Sequence, residues 1–270
     1  MALVLVDYHL HLRKPDRERE EADHTRGAVE RYAERAVEQG IDEIGISEHV
    51  YYFRETSDVW ELPYQQERCR HSLEGYCDAI LEARRGGAPV KLALEVDWVP
   101  GRAEQLAELL SGYPWDYLLG SVHWIDGLPI DGSPGWWEQA QPEEVWERYA
   151  RELRAAAASG QFDVLAHPDL VKIFGHRVAW DWSPLVPALN GVALEVSSAG
   201  LRKPVGELYP DASLLALAND ADVAITLASD GHFEEDVGRD LVRAVEHARA
   251  AGYDTVTVFE RRRGRQEPLG

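Results

Sequence analysis

His9-Leu10-His11 opens the set of residues in this sequence that could do chemistry. Two imidazoles at a spacing of two share one face of an extended strand and can reach a single ion. Comparable groups recur down the chain: Glu48 with His49, Glu95 with Asp97, His123, His167 with Asp169, Glu195, and Asp230 with His232. Of the ten histidines, six close a short apolar run. An isolated H-x-H is as readily a surface pair as a ligand pair, so the weight lies in the recurrence. Imidazole mixed with carboxylate suits Zn, Fe or Mn better than Ca or Mg, which favour oxygen donors alone. His71, His176 and His247 read instead as structural or solvated residues, the first within a helical stretch, the second beside Gly175 and the third on a charged helix face. His24, in DREREEADHTRG, falls outside the pattern, and composition leaves it open between a ligand and a helix-capping or surface residue.

The elements that must position these groups alternate regularly. Strand candidates lie at 2–9, 42–49, 90–97, 116–123, 162–167, 191–198, 222–230 and 254–260. Between them run helical patterns with apolar residues three and four apart, such as GAVERYAERAVEQ, a long segment from about Leu62 to Arg85, PEEVWERYARELRAAAAS and VGRDLVRAVEHARAAG. Repeated βα units imply a parallel sheet, and seven or eight of them in 270 residues fit a closed or slightly irregular barrel, with a doubly wound open sheet as second choice. In a barrel the carboxyl ends of the strands converge on one face, so residues more than 200 apart in sequence meet there. No repeat or linker divides the chain, which reads as one domain over residues 1–270. Asp126 to Pro142 reads as a long loop, and the basic tail ERRRGRQEPLG as a frayed end.

With 45% hydrophobic residues the chain can bury a sizeable core. Its formal charge of −20 argues against a general nucleic-acid binder and against attachment to anionic membranes. An anionic substrate must then be attracted locally, by metals and a few placed cations. No apolar run approaches the ~18 residues of a membrane span, and MALVLVDYHLH lacks a basic leader and a cleavage site. Cys69 and Cys77, eight apart on what reads as one helix, are too far apart to bridge. Free thiols without a leader point to the cytoplasm. Oligomeric state stays open.

DYHLH, GIDEIGISEH, LALEVDWVPG, DYLLGSVHWIDG, FDVLAHPDLVKIFG, ALEVSSAGLRKPVGELYP and ASDGHFEEDVG follow one another in an order and at spacings that resemble the histidinol phosphatases of the polymerase-and-histidinol-phosphatase superfamily, over roughly residues 3 to 252. The resemblance implies an α/β fold, a distorted (β/α)7 TIM-like barrel, with three divalent metal ions at the carboxyl end of its strands. Carried over motif by motif, it places His9 and His11 on one metal, closed by Asp230, with Glu95 bridging to a second held by His123 and His167. A third would take His24, His49 and His232, although EADHT stands where the family usually has a shorter stretch with Cys-Pro before the histidine.

The implied activity is metal-assisted hydrolysis of a small phosphomonoester, L-histidinol phosphate, with Asp230, His232 and Glu95 at the reacting centre. Clustered divalent ions explain how so acidic a protein holds a phosphate dianion. The sequence shows no nucleophile elbow, no phosphate-cradling P-loop and no C-x5-R signature. Lys172, Arg202 and Lys203 stand near strand ends as candidate clamps on phosphate oxygens, Arg202 being favoured by the GLRKP segment. Asp7 and Asp169 are candidates for orienting imidazoles or passing a proton. Asp97, Trp98, Trp124, Asp126, Trp136 and Trp137 follow the third and fourth strands as a second wall for the amine and imidazole of the substrate. Two alternatives remain: a phosphoesterase of the same superfamily acting on nucleotides or other esters, and a metal-binding domain without catalysis.

Overall fold

The computed structural model describes residues 3–18, 21–133, 137 and 140–270. Strand β1 (Val6–Leu10) leads into helix α1 (Arg26–Glu38), whose first turn is capped by the Thr25 hydroxyl accepting from the Ala28 N–H. Strand β2 (Glu43–Ile46), the one-turn helix α2 (Pro63–Gln66), helix α3 (Leu73–Arg85), strand β3 (Val90–Asp97), helix α4 (Ala103–Leu110) and strand β4 (Tyr117–Ser121) continue the alternation. A small antiparallel hairpin, β5 (Trp124–Ile125) with β6 (Leu128–Pro129), occupies part of the expected long loop. Helix α5 (Pro142–Ala158), strand β7 (Val164–Leu165), strand β8 (Ala193–Ser197), helix α6 (Ala212–Asp220), strand β9 (Ile225–Ala228) and helix α7 (Leu241–Ala250) follow, and strands β10 (Thr255–Glu260) and β11 (Arg263–Pro268) end the chain.

Seven strands pair in parallel in the order β1-β2-β3-β4-β7-β8-β9. The sheet closes where the His11 N–H donates to the Gly231 carbonyl at 2.9 Å and the Gly231 N–H to the His9 carbonyl at 3.2 Å. The fold is therefore the (β/α)7 TIM-like barrel expected. Asp7 clamps the same seam, accepting from the Ser229 N–H at 2.7 Å, the Ser229 hydroxyl at 2.6 Å and the Gly238 N–H at 2.8 Å. It touches no imidazole through these bonds, so the orienting part expected of it falls to other carboxylates. Burial raises its carboxyl pKa to about 6 against the pull of those three donors.

Three local expectations are corrected. Residues 254–260 do form a strand, but it pairs antiparallel with β11 instead of joining the barrel, because the Arg261-Arg262 turn, with positive φ at both residues, folds it back. The tail is consequently ordered, and Leu269 bridges Val4. The helical pattern from Leu62 to Arg85 is broken between α2 and α3, where His71 pairs its backbone with Phe53 and the Ser72 hydroxyl starts α3 by accepting from the Gly75 N–H. Cys69 thus precedes the helix that holds Cys77, and both are free thiols.

The N-terminal end of the barrel is filled by rings. Tyr8 stacks on Tyr117 with centroids 4.9 Å apart, Phe259 of β10 lies 5.3 Å from Tyr117, and the Tyr117 hydroxyl donates to the Tyr8 carbonyl at 2.6 Å. Gly45 on β2 makes room for this ring: a Cβ there would lie 1.6 Å from the Tyr117 hydroxyl oxygen. We expect Gly45→Ala to destabilise the protein by about 1–3 kcal/mol through overpacking and a lost hydrogen bond. An unchanged melting temperature in thermal unfolding would contradict that packing. No helix among the described residues is long and apolar enough to cross a membrane.

Candidate metal centre

At the opposite end of the barrel the side chains that close the strands converge on Glu95, which is fully buried at the end of β3. Its Oε2 lies 3.5 Å from His9 Nε2, 3.8 Å from His11 Nε2 and 2.6 Å from His49 Nδ1. Its Oε1 lies 3.0 Å from His167 Nε2 and 3.4 Å from His123 Nε2. Asp230 faces the same space, with Oδ1 at 3.5 Å from His11 Nε2, 3.9 Å from His9 Nε2 and 3.4 Å from His232 Nε2. Asp230 and His167 both have positive φ, 51° and 27°, a sparsely populated conformation for residues other than glycine that concentrates at functional sites. On β1 the pairing with β2 slips by one residue between Asp7 and Leu10, an irregularity that re-aims side chains.

A second layer of carboxylates fixes the rings. His9 Nδ1 lies 2.7 Å from Glu195 Oε2, His11 Nδ1 3.0 Å from Glu48 Oε1, and His123 Nδ1 2.9 Å from Asp97 Oδ1. A carboxylate on Nδ1 keeps the proton there and leaves the Nε2 lone pair aimed at the cluster, the arrangement used by metal-binding histidines. His9 Nε2 and His11 Nε2 are buried without a hydrogen-bond partner. Orphaned buried donors and acceptors are costly, and a divalent cation would satisfy a cluster of converging lone pairs. Among the described residues, three groups of donors are mutually close enough to share an ion: His9-His11-Glu95, His11-His49-His232 and His49-Glu95-His123. The residues therefore fit a metal centre.

Electrostatics point the same way. Burial opposes charge on Glu95, yet the imidazoles of His123, His49 and His9 outweigh it and hold the carboxyl well below its ordinary range. Burial also opposes charge on His123, but Glu95 and Asp97 override it and raise its pKa to about 10. His232 goes the other way: burial, then His11, lowers it to about 3. The buried carboxylates thus draw positive charge into this space, a demand that a cation would meet.

His24 is placed differently. Its Nε2 lies 3.0 Å from Glu48 Oε2 and its ring meets that of His71 at 4.6 Å, so it joins none of the three donor groups. Glu48 gathers His11, His24 and the Arg13 guanidinium, the last at 2.8 Å.

A cavity of about 320 Å³ opens over the cluster, lined by His49, Glu95, His123, His167, Asp230 and His232 at its floor. Among the three cations expected to face it, Lys203 alone lines it. Lys172 is fully buried, with Nζ 2.8 Å from Asp169 Oδ2 and donating to the Leu208 carbonyl at 2.7 Å. Asp169 is occupied by that ammonium and by the Asp211 N–H at 2.7 Å and reaches no imidazole through these bonds. Arg202 donates to the Ser229 and Ser198 carbonyls, bracing the segment after β9 that carries Asp230.

The second wall also differs from expectation. Trp124 lines the cavity, but Trp98 donates to Glu152, Trp137 is buried against His176 and Asp126 pairs with Arg148 in solvent. Trp136 lies outside the described residues. The aromatic lining comes mainly from Tyr51, Tyr52, Tyr64 and Tyr209, together with the cation Arg13. Sequence reasoning missed all five. The one signal for the first two was their position directly after His49, in SEHVYY.

Known proteins share this architecture. The PHP domain family model matches residues 20–198. The chain is similar to a protein of Deinococcus radiodurans named "Probable histidinol-phosphatase", at 30% identity over 96% of this chain and 98% of that one. It is also similar to a protein of the same name from Schizosaccharomyces pombe, at 25% identity over 88% and 86%. In fold it is similar to histidinol phosphate phosphatase of Lactococcus lactis subsp. lactis, whose crystal structure is a complex with zinc, L-histidinol and phosphate. That likeness has a TM-score of 0.73 at 18% identity and covers 98% of this chain and all of the other. With a family match over more than half its length and a 30% identical relative spanning nearly all of it, the chain belongs to the PHP domain family.

Proposed function

We propose that this protein is a metal-dependent phosphomonoesterase that hydrolyses L-histidinol phosphate to L-histidinol and phosphate. The observation that carries the chemistry is the convergence of five imidazoles on the two oxygens of buried Glu95, with the facing nitrogens of His9 and His11 left unpaired. The substrate follows from the two relatives named as histidinol phosphatases and from the fold shared with an enzyme that binds L-histidinol and phosphate. We further propose that residues 1–270 act as one domain in the cytoplasm.

His9, His11, Glu95 and Asp230 would hold one ion, Glu95, His123 and His167 a second, and His49 and His232 a third, each Zn, Fe or Mn. His24, the remaining expected ligand, would complete this third position by turning its ring away from Glu48. When bound, such ions acidify water to a pKa of about 7 and offset charge on phosphoryl oxygens. The chain's own side chains do the rest. Glu195, Glu48 and Asp97 hold their imidazoles in one tautomer. Asp230, at the cavity floor, is placed to take a proton from the attacking water, and His232, neutral beside it, faces the ester. Lys203 steers the dianion inward, a local attraction that a chain of charge −20 needs. The tyrosines exclude water around the leaving group.

The test is kcat/KM for L-histidinol phosphate, p-nitrophenyl phosphate and bis(p-nitrophenyl) phosphate. We expect a preference of at least ~100-fold, or ~2.7 kcal/mol, for L-histidinol phosphate, with the diester slowest. Equal values for the two monoesters would reduce the protein to a general phosphomonoesterase, and a faster diester would make it a phosphodiesterase.

A further inference from the structure

Three carboxylates line the cavity among the described residues: Glu95, Asp230 and Asp131. The first two face the imidazole cluster. Asp131 has no part in that cluster, yet its charge reaches across the cavity, adding to those of Glu95 and Asp97 on His123 and to those of Asp169 and Asp230 on the Tyr209 hydroxyl.

The chain around Asp131 is built to hold it there. Asp126 and Gly127, with φ of 52° and 78°, form the tight turn of the β5–β6 hairpin, the Asp-Gly pair favoured in turns of this kind. The hairpin returns the chain to the cavity rim. Ile130 then anchors it: its side chain is fully buried, its N–H donates to the His123 carbonyl at 2.7 Å, and its carbonyl accepts from the Trp137 indole at 3.4 Å. Gly132, on the other side, packs against Pro129 so closely that a Cβ would lie 2.6 Å from the proline ring. Asp131 is thus fixed between two constrained neighbours, one of them bonded to the backbone of a cluster histidine.

The same cavity is lined by rings suited to a cation. Trp124 and Tyr64 lie 5.4 Å apart and Tyr64 and Tyr51 5.8 Å apart. The Trp124 indole N–H is buried without a partner. A cavity that offers both a carboxylate and aromatic faces can recognise an ammonium by charge and by cation–π attraction.

We propose that Asp131 is the specificity-determining residue for the substrate's primary ammonium group, selecting aminoalkyl phosphates over phosphomonoesters that lack an amine. The proposal rests on the reading of the site as one for L-histidinol phosphate. It assigns the amine end to the β5–β6 segment and leaves the phosphate to the imidazole cluster.

The experiment compares wild-type enzyme and Asp131→Asn on L-histidinol phosphate, on its analogue without the amine, 3-(imidazol-4-yl)propyl phosphate, and on p-nitrophenyl phosphate. Wild type should favour the amine over the amine-free analogue by about tenfold or more in kcat/KM, the equivalent of about 1.4 kcal/mol. Asp131→Asn should lose that preference through KM, with values for the two amine-free esters within about twofold of wild type. If the wild type favours L-histidinol phosphate and Asp131→Asn keeps the preference for the amine, the assignment of Asp131 is overturned while the substrate stands. Equal losses on all three substrates would make Asp131 a prop for the loop and also overturn it. A wild-type enzyme indifferent to L-histidinol phosphate would overturn the substrate and the assignment together.

Discussion

Glu95→Ala should lower kcat/KM for L-histidinol phosphate by at least ~10³-fold and strip the protein of most of its bound metal. A preorganised group that stabilises developing charge is worth roughly 10²–10³ in rate when it is a single donor. Glu95 is more than that, because both of its oxygens lie among the histidines: Oε2 faces His9, His11 and His49, and Oε1 faces His167 and His123. Removing the carboxylate also leaves those imidazoles facing one another in a buried space, which weakens affinity for cations at each position. The comparison is His247→Ala on helix α7, whose ring bonds the Pro210 carbonyl at 2.9 Å and belongs to none of the donor groups; its activity should stay within a few-fold of wild type. Metal per chain, measured by elemental analysis, and the melting temperature separate loss of the site from loss of the fold. Glu95→Ala protein that keeps its metal and its activity would end the proposed chemistry.

Lys172→Met should produce the largest change in stability, about 3–5 kcal/mol, because it leaves Asp169 as an uncompensated buried charge. Both side chains are fully buried, and the ammonium also serves the Leu208 carbonyl and lies 5.3 Å from the centre of the Tyr209 ring. In a chain of this size that corresponds to a melting temperature lower by roughly 6–20 °C. The double variant Lys172→Met/Asp169→Asn should recover much of the loss, since no charge is then stranded. Turnover per folded molecule should change only a few-fold in the single variant. A wild-type melting temperature together with a 100-fold higher KM would restore Lys172 to the phosphate.

The contrast between these residues shows what the sequence could reveal. Strand alternation and the position of a residue at a strand end are local properties, so His9, His11, Glu95, His123, His167, Asp230 and the closing His232 were legible as one converging set. Glu48 and Glu195 stood out by the same rule. Lys172 also stands near a strand end, but whether a flexible side chain turns into a cavity or towards a neighbouring aspartate depends on packing from distant segments, here Leu208 and Tyr209. The strand at 255–260 was recognisable as a strand; only the following turn decided that it would pair with 263–268 instead of entering the barrel. Tyr51, Tyr52 and Tyr64 escaped notice because tyrosines in a connection look alike whether they line a pocket or cover a surface. His24 could not be placed from spacing, since its connection has no periodicity to orient it, and its actual partner is Glu48.

The seam between β1 and the segment that follows β9 joins positions 222 apart in the chain. At a synthesis rate of 5–20 residues per second, the ribosome needs roughly 10–45 s after His9 has been made before Ser229 exists to meet Asp7. Once β2 has been made, the first strand has one neighbour and one bare edge until that partner arrives, and it carries His9, with His11 just beyond its end. An open edge on a nascent parallel sheet is a template for pairing with another chain. The biosynthesis of this protein is therefore exposed to misassociation during one long, definable window, whose length is set by how late the partner of β1 is encoded.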